Sequence, residues 1–281
     1  MGFWGGLFGR FILMPLFSLV PKNFGALFFR KSSKDADTVY QNIKTTRALE
    51  VMYGFSGKLK LTGTFLDSIF TYFWHHNIAN AKGVRNRIRL VKREIKLAVE
   101  NISPAKAGEP IKIFSIASGS ARAVIEVMAE LKQKGIKTEA KLLDLDPKAL
   151  ELSKKIAAEF DAVNQITEWC NDKASNFMNY CDGWRPDIIE MVGFLDYLKK
   201  EKAEKLFVEI YKQLALGGIF ITANIRDNYE HEFVSRILNW EMVYRDDKDL
   251  IDLFLESGFK PKNCQIIFEP TLIHGVAIGK K

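Results

Sequence analysis

Cysteine is scarce and scattered. Only Cys170, Cys181 and Cys264 occur in 281 residues, and no two form a CxxC pair. Neither a structural zinc site nor a disulfide framework is indicated, and a reducing, cytoplasmic setting suits such a chain. The four histidines, His75, His76, His231 and His274, also lack ligand spacing, so no metal is expected. No apolar run is long enough to cross a bilayer: Phe11–Pro21 is uncharged but short, and Pro15 interrupts it. That run lacks a small-residue cleavage site, and basic residues are not gathered ahead of it as in a signal peptide. Internal repeats and low-complexity tracts are absent. So are a G-x-G-x-x-G dinucleotide fingerprint, a Ser-His-Asp order and a paired-carboxylate constellation. With 47% apolar and 27% charged residues, wholesale disorder is excluded.

Acid is missing from the first 31 residues, where four basic residues stand among aromatics and aliphatics. Two readings stay open. The segment could lie in a membrane interface with its basic residues against lipid phosphates, or fold back as an apolar lid. Residues 1–110 hold 17 Lys and Arg against 7 Asp and Glu, whereas the remainder holds 24 against 27. The basic surplus therefore sits in the N-terminal part. It suits an anionic partner, a phospholipid surface or an acidic substrate, with nucleic acid less favoured, or else a solvated basic helix. Three regions are expected: an apolar basic segment (1–31), a helical region (32–107) and an α/β domain (108–281). Within the second, residues 83–102 read as an amphipathic helix. Ile88, Val91, Ile95, Ala98 and Ile102 line one stripe, and Arg85, Arg89, Lys92, Arg93 and Lys96 stand outside.

The densest signal lies in residues 111–150. An apolar run breaks into Ala117-Ser118-Gly119-Ser120-Ala121 and restarts as a helix. A second apolar run ends on Asp144, followed by Leu145 and by Asp146-Pro147 opening another helix. Strand, small-residue turn, helix, strand and acid form a nucleotide-binding βαβ unit, in which the turn lets backbone N–H groups approach a ligand and the acid meets a ribose diol. Asp144 follows Gly119 by 25 positions, near the usual offset of about 20. The ligand is expected to contain an adenosine. Ala117 replaces the first glycine of the dinucleotide fingerprint, and Ala121 and Arg122 follow Gly119 where its last glycine is wanted, which argues against a diphosphate in the turn.

Beyond this unit the alternation is regular. Strands are expected near 111–117, 138–144, 165–170, 187–192 and 217–225, and helices near 121–134, 147–160, 198–215 and 247–257. Ile-, Leu- and Val-rich strands suit a sheet covered on both faces. Two final apolar runs, 264–269 and 272–279, are separated by Pro270-Thr271, which predicts a two-residue hairpin. The expected fold is a Rossmann-like, doubly wound α/β sheet of about seven strands with a terminal antiparallel hairpin, plus an α-helical N-terminal extension.

Taken together, the turn, Asp144, the polar end of the third strand (Asn171-Asp172-Lys173-Ala174), Leu216-Gly217-Gly218-Ile219 and the terminal hairpin resemble class I S-adenosylmethionine (SAM) methyltransferases. The match covers about residues 108–281. That resemblance implies SAM as cofactor. It places Ala117, Ser118, Gly119, Ser120, Asp144 and Leu145 against it, Asn171 or Asp172 at the adenine amine, and Met191 and Gly193 beside the transferred methyl. Segments such as Gly193-Phe194-Leu195-Asp196-Tyr197-Leu198, Trp240 with Tyr244-Arg245, and Arg85-Asn86-Arg87 are similar to bacterial extracellular-factor (3-hydroxypalmitic acid methyl ester) biosynthesis methyltransferases. Ala117 and Ser120 depart from that pattern, where Gly and Pro are usual. The implied acceptor is a small, lipid-like carboxylate.

Tyr197, Asn224, Tyr244 and Arg245 are the candidate acceptor residues. Arg245 could hold a carboxylate in a bidentate fork, or pair with Asp246 or Asp247 on the surface. A carboxylate acceptor needs no base; an alcohol or amine would, with His76 or His231 as candidates. The alternative to an enzyme is a degenerate SAM fold serving as a membrane or nucleic-acid binding module.

Overall fold

The computed structural model describes residues 9–55, 57–58, 64–106 and 108–281. Of the segment 1–31, the first eight positions lie outside the described residues. Among the described residues no helix is long and apolar enough to cross a membrane, and no group of three or more His, Cys, Asp or Glu side chains is placed to hold a metal ion.

The chain forms two compact units. The first comprises residues 1–86, 226–242 and 269–274. A π-helical turn, Gly9–Leu13, leads into α1 (Met14–Leu19), α2 (Lys22–Ser32), α3 (Lys34–Gln41), α4 (Thr46–Tyr53), α5 (Phe65–Asn77) and the start of α6 (Ala79–Ile102). Local capping sets several of these starts. The Ser33 hydroxyl accepts the Ala36 N–H at 3.1 Å, and the Thr64 hydroxyl accepts that of Asp67 at 3.2 Å. At α6 a distant carboxylate does this work: Glu230 accepts the N–H groups of Ala79 at 2.6 Å and Asn80 at 2.8 Å, satisfying donors that a helix N-terminus leaves unpaired.

Arg85 corrects the sequence reading. The helical spacing puts it on the solvent side, yet it is buried. It donates to the His75 carbonyl at 2.6 Å and lies 3.1 Å from His75 Nδ1, with its guanidinium over the Phe55 ring. Burial lowers the His75 pKa, so the ring is held neutral beside that cation.

The second unit comprises residues 87–225, 243–268 and 275–281. Its elements are β1 (Ile111–Ile116), α7 (Arg122–Gln133), β2 (Thr138–Asp144), α8 (Pro147–Glu159), β3 (Ile166–Asn171), β4 (Ile188–Val192), α9 (Lys200–Gln213), β5 (Ile219–Ile225), α10 (Asp247–Glu256), β6 (Cys264–Phe268) and β7 (His274–Lys280). The strands form one seven-stranded sheet in the order β3-β2-β1-β4-β5-β7-β6. β1 pairs in parallel with β2 and β4, β2 with β3, and β4 with β5, while β6 and β7 run antiparallel. The strand order reverses between β1 and β4, which places the ligand crevice of such a sheet beyond their carboxyl ends.

Alternating side chains build a core on each face of the sheet. Ile111, Ile113, Ala140, Leu142 and Ile188 pack with the α6 stripe and with α7 and α8; Phe114, Ile116, Leu143, Ile189 and Phe220 pack with α9 and α10. The α6 stripe is Leu90, Val91, Ile95, Ala98 and Val99, whereas Ile88 and Ile102 are only half-buried. Local signals again fix the helix starts. Asp146 caps α8 with Pro147 in the first turn, and Asp246 and Asp249 form a capping box on α10.

The terminal hairpin differs from expectation in its turn. Its connection is the five-residue Glu269–Ile273, because the buried Glu269 side chain gathers the loop around itself. Its carboxylate accepts the N–H groups of Thr271 at 2.8 Å, Ile273 at 2.9 Å and His274 at 3.2 Å.

Candidate functional site

The turn after β1 is held in an unusual backbone conformation. Ala117, Gly119 and Ala121 have φ of 50°, 55° and 51°, the left-handed region that costs an alanine roughly 1 kcal/mol or more. Two ties fix the turn to the end of β2: Ser118 N–H donates to the Leu143 carbonyl at 2.9 Å, and Gly119 N–H donates to Asp144 Oδ2 at 2.7 Å. Asp144 Oδ1 accepts the Asp146 N–H at 2.8 Å. Burial raises the Asp144 pKa, and the backbone N–H donors oppose the shift. A carboxylate has about four acceptor positions, and the N–H groups of Gly119, Asp146 and Leu145 bear on it, so Asp144 keeps part of its acceptor capacity for a ligand hydroxyl.

Three further features lie beside this pair. The Ser118 hydroxyl is buried and has no hydrogen-bond partner. Leu145, next to Asp144, is 65% exposed. Asn171, at the end of β3, donates from its amide to the carbonyls of Asp144 and Leu145, each at 3.0 Å, so its amide nitrogen joins the tips of β2 and β3. Asp172 accepts from Lys173 N–H at 2.7 Å, Asn176 at 2.8 Å and the Tyr180 hydroxyl at 3.3 Å. Those bonds, led by the Lys173 N–H, lower its pKa and commit much of its acceptor capacity. An unpaired buried hydroxyl, a partly free carboxylate and an uncovered leucine at one end of the sheet fit an adenosine-containing cofactor.

At the end of β4 the structure divides the expected residues. Gly193 has φ of 89° and lies where an added Cβ would be 3.5 Å from Arg87 Nη2. Met191 does not face open space: its side chain is fully buried in the core with Ile116 and Leu195. Tyr197 is half-buried in the 3-10 turn Leu195–Tyr197, and Tyr244 is half-buried with its hydroxyl inside the protein.

Arg245 and Asn224 are corrected. The Arg245 guanidinium is buried and donates to the Leu195 carbonyl at 3.0 Å, Asn224 Oδ1 at 2.7 Å and the Leu198 carbonyl at 2.5 Å. Three of its five N–H donors are thus taken by protein acceptors. Asn224 spends its amide on the carbonyls of Ile225 and Val243, each at 2.9 Å. Both residues bind the loop after β4 to the end of β5, so their side chains serve the protein's own backbone first. His76 and His231 are each held at Nδ1, by the Tyr72 carbonyl and by Asp227 respectively.

Sequence reasoning passed over a buried polar group behind Gly193. Glu190 lies within β4 and accepts the Ser115 hydroxyl at 2.5 Å; burial pushes its carboxyl up to about 7. Arg87 forms a buried ion pair with Asp196 at 3.5 Å, and Asp196 Oδ1 accepts the Ile225 N–H at 2.8 Å. Burial raises the Asp196 pKa, with the Arg87 charge opposing. The available signal was a glutamate inside the apolar run Ile188-Ile189-Glu190-Met191-Val192.

A family model described as "Putative methyltransferase" matches residues 32–194, more than half of the chain. The chain belongs to this methyltransferase family. None of the curated proteins matches it. Among solved structures it is similar to a possible exported protein of Bordetella parapertussis, at TM-score 0.68 and 11% identity over 94% of this chain and 98% of that one. It is also similar to an O-methyltransferase family protein of Burkholderia thailandensis, at TM-score 0.58 and 11% identity over 96% and 98% of the two chains. A third is the magnesium protoporphyrin IX methyltransferase of Synechocystis with bound S-adenosylhomocysteine, at TM-score 0.56 and 11% identity over 92% and 99%. At such identities the likeness shows the fold: a seven-stranded methyltransferase sheet with flanking helices.

Proposed function

We propose that this chain is a SAM-dependent methyltransferase acting on a small-molecule acceptor. The observation that carries the reading is the Asp144 carboxylate bonded to the Gly119 N–H beside the buried, unpartnered Ser118 hydroxyl. Asp144 would receive the ribose hydroxyls, Leu145 would cover one face of the adenine, and Asn171 or Asp172 would face its amine. Ala117, Ser118, Ser120 and Gly193 would border the methionyl part. When bound, SAM supplies an activated methyl and its own leaving group, so the chain's residues need only hold, orient and exclude water. A methyltransferase from Synechocystis with this fold carries S-adenosylhomocysteine, which supports the choice of cofactor.

The acceptor reading rests on the resemblance to the extracellular-factor methyltransferases, which favours a lipid-like carboxylate. With Arg245 buried and three of its donors engaged by the protein, recognition of such a head group would fall to Tyr197, Tyr244 or other groups. A carboxylate is already nucleophilic at neutral pH and would need no general base.

Ser118→Ala tests the cofactor site. The free protein should be as stable as the parent or more so, because a buried hydroxyl without a partner costs free energy. Affinity for S-adenosylhomocysteine should fall about fivefold or more, the value of one hydrogen bond of roughly 1 kcal/mol. Calorimetry that detects no binding of SAM or S-adenosylhomocysteine to the parent chain would overturn the assignment.

A further inference from the structure

In α2, Gly25, Ala26 and Phe29 are buried, and residues 233–237 and Trp74 pack on this face. A Cβ added to Gly25 would lie 2.7 Å from Ile237 Cδ1, and Phe29 meets the Phe233 ring edge-on at 5.8 Å. That face of α2 is fully packed. The other face is equally apolar: Phe24, Leu27 and Phe28 with Lys31 follow helical spacing and are exposed. The π-helical turn and α1 repeat the arrangement. Met14 is buried, while Ile12, Leu16 and Leu19 are exposed at the same spacing. The six apolar side chains of these two stripes are 52% to 84% exposed. Scattered surface leucines need no explanation, but consecutive helices that each present an apolar stripe to water do.

Charge decides what covers them. Residues 1–34 contain Arg10, Lys22, Arg30, Lys31 and Lys34 and no acid. Arg30 is taken by Asp37, whereas Lys31 and Lys34 are exposed at the end of α2 and the start of α3. A two-fold contact between these segments would set one acid-free basic segment against another, with no opposite charge in either to pair the lysines. An anionic bilayer supplies hydrocarbon for the stripes and phosphate for the cations.

We propose that the exposed stripes of α1 and α2 lie in the interfacial layer of an anionic phospholipid membrane, with Lys31 and Lys34 against lipid phosphates. Membrane binding of this kind is independent of methyl transfer.

The test is co-sedimentation of the full chain with vesicles of phosphatidylcholine alone and of phosphatidylcholine with phosphatidylglycerol in equal parts. The protein should pellet with the anionic vesicles, and added salt should weaken it. Phe24→Ser with Leu27→Ser and Phe28→Ser should lower the partition about tenfold or more, since three apolar contacts are lost. Lys31→Glu with Lys34→Glu leaves both stripes in place and should weaken binding to the anionic vesicles comparably. Should the triple variant fail to fold, Leu27→Trp in the otherwise intact chain reports directly: its fluorescence should shift to the blue and be quenched by brominated phospholipid. A parent protein that stays in the supernatant with both vesicle types overturns the proposal. So does a stable dimer in ultracentrifugation that the triple variant dissolves while the parent ignores vesicles.

Discussion

Asp144 and Gly119 are joined directly: the carboxylate at the end of β2 accepts the backbone N–H in the middle of the turn after β1, at 2.7 Å. The acid that would meet a ribose also shapes the turn beside it. Asp144→Asn should therefore act twice. An amide has one acceptor oxygen for the two N–H groups of Gly119 and Asp146, so stability should fall by about 1–3 kcal/mol in urea denaturation. Affinity for S-adenosylhomocysteine should fall about tenfold or more by the loss of charge-assisted bonds. Unchanged affinity in calorimetry would remove Asp144 from the cofactor site.

Ala117 occupies a left-handed backbone position, with φ of 50°. Ala117→Gly should stabilise the chain by up to about 1 kcal/mol, because relief of the Cβ clash outweighs the added freedom of the unfolded glycine. The denaturation midpoint is the measurement. A loss of 1 kcal/mol, the ordinary cost of this change in a helix, would show that the turn carries no strain.

Arg245 acts on the protein rather than on the acceptor. Lysine cannot reproduce three bonds to the Leu195 carbonyl, Asn224 and the Leu198 carbonyl, so Arg245→Lys should cost roughly 2–4 kcal/mol of stability. The turn Leu195–Tyr197 should loosen with it, and kcat should fall along with any rise in KM. A variant of parental stability with only KM raised would return Arg245 to direct acceptor binding.

Glu190 gives the fold a pH dependence. Its carboxyl is raised from 4.5 to about 7 in the folded chain by burial, so its favourable contribution is complete below about 4.5 and is lost as pH rises through about 7. Across that window the loss is about 3 kcal/mol. Glu190→Gln keeps an acceptor for the Ser115 hydroxyl and removes the titration. The stability difference between variant and parent should thus move in the variant's favour from pH 5 to pH 8. Parallel stability curves for the two proteins would show that Glu190 does not titrate there.

The sequence by itself determined the alternation of strands and helices, the ligand turn and the acid that follows it. Those features are written in neighbouring residues: apolar runs of one strand's length, small residues between strand and helix, and caps such as Asp146-Pro147 and Asp246 with Asp249. The methyltransferase resemblance rested on the same local order. The tertiary structure decided the fate of the charged residues. Arg245 meets Leu195 across 50 positions, and Arg87 meets Asp196 across 109; an arginine with a distant partner looks in sequence the same as one awaiting a ligand. Arg85 reads as solvent-facing from helical spacing, but spacing defines a helix's faces without saying which neighbours cover them. For the same reason composition marks the N-terminal helices as apolar throughout, and only packing shows which stripe is buried and which is left to water. The hairpin turn followed Glu269, whose one carboxylate gathers the loop's backbone donors and sets a length that turn residues alone did not.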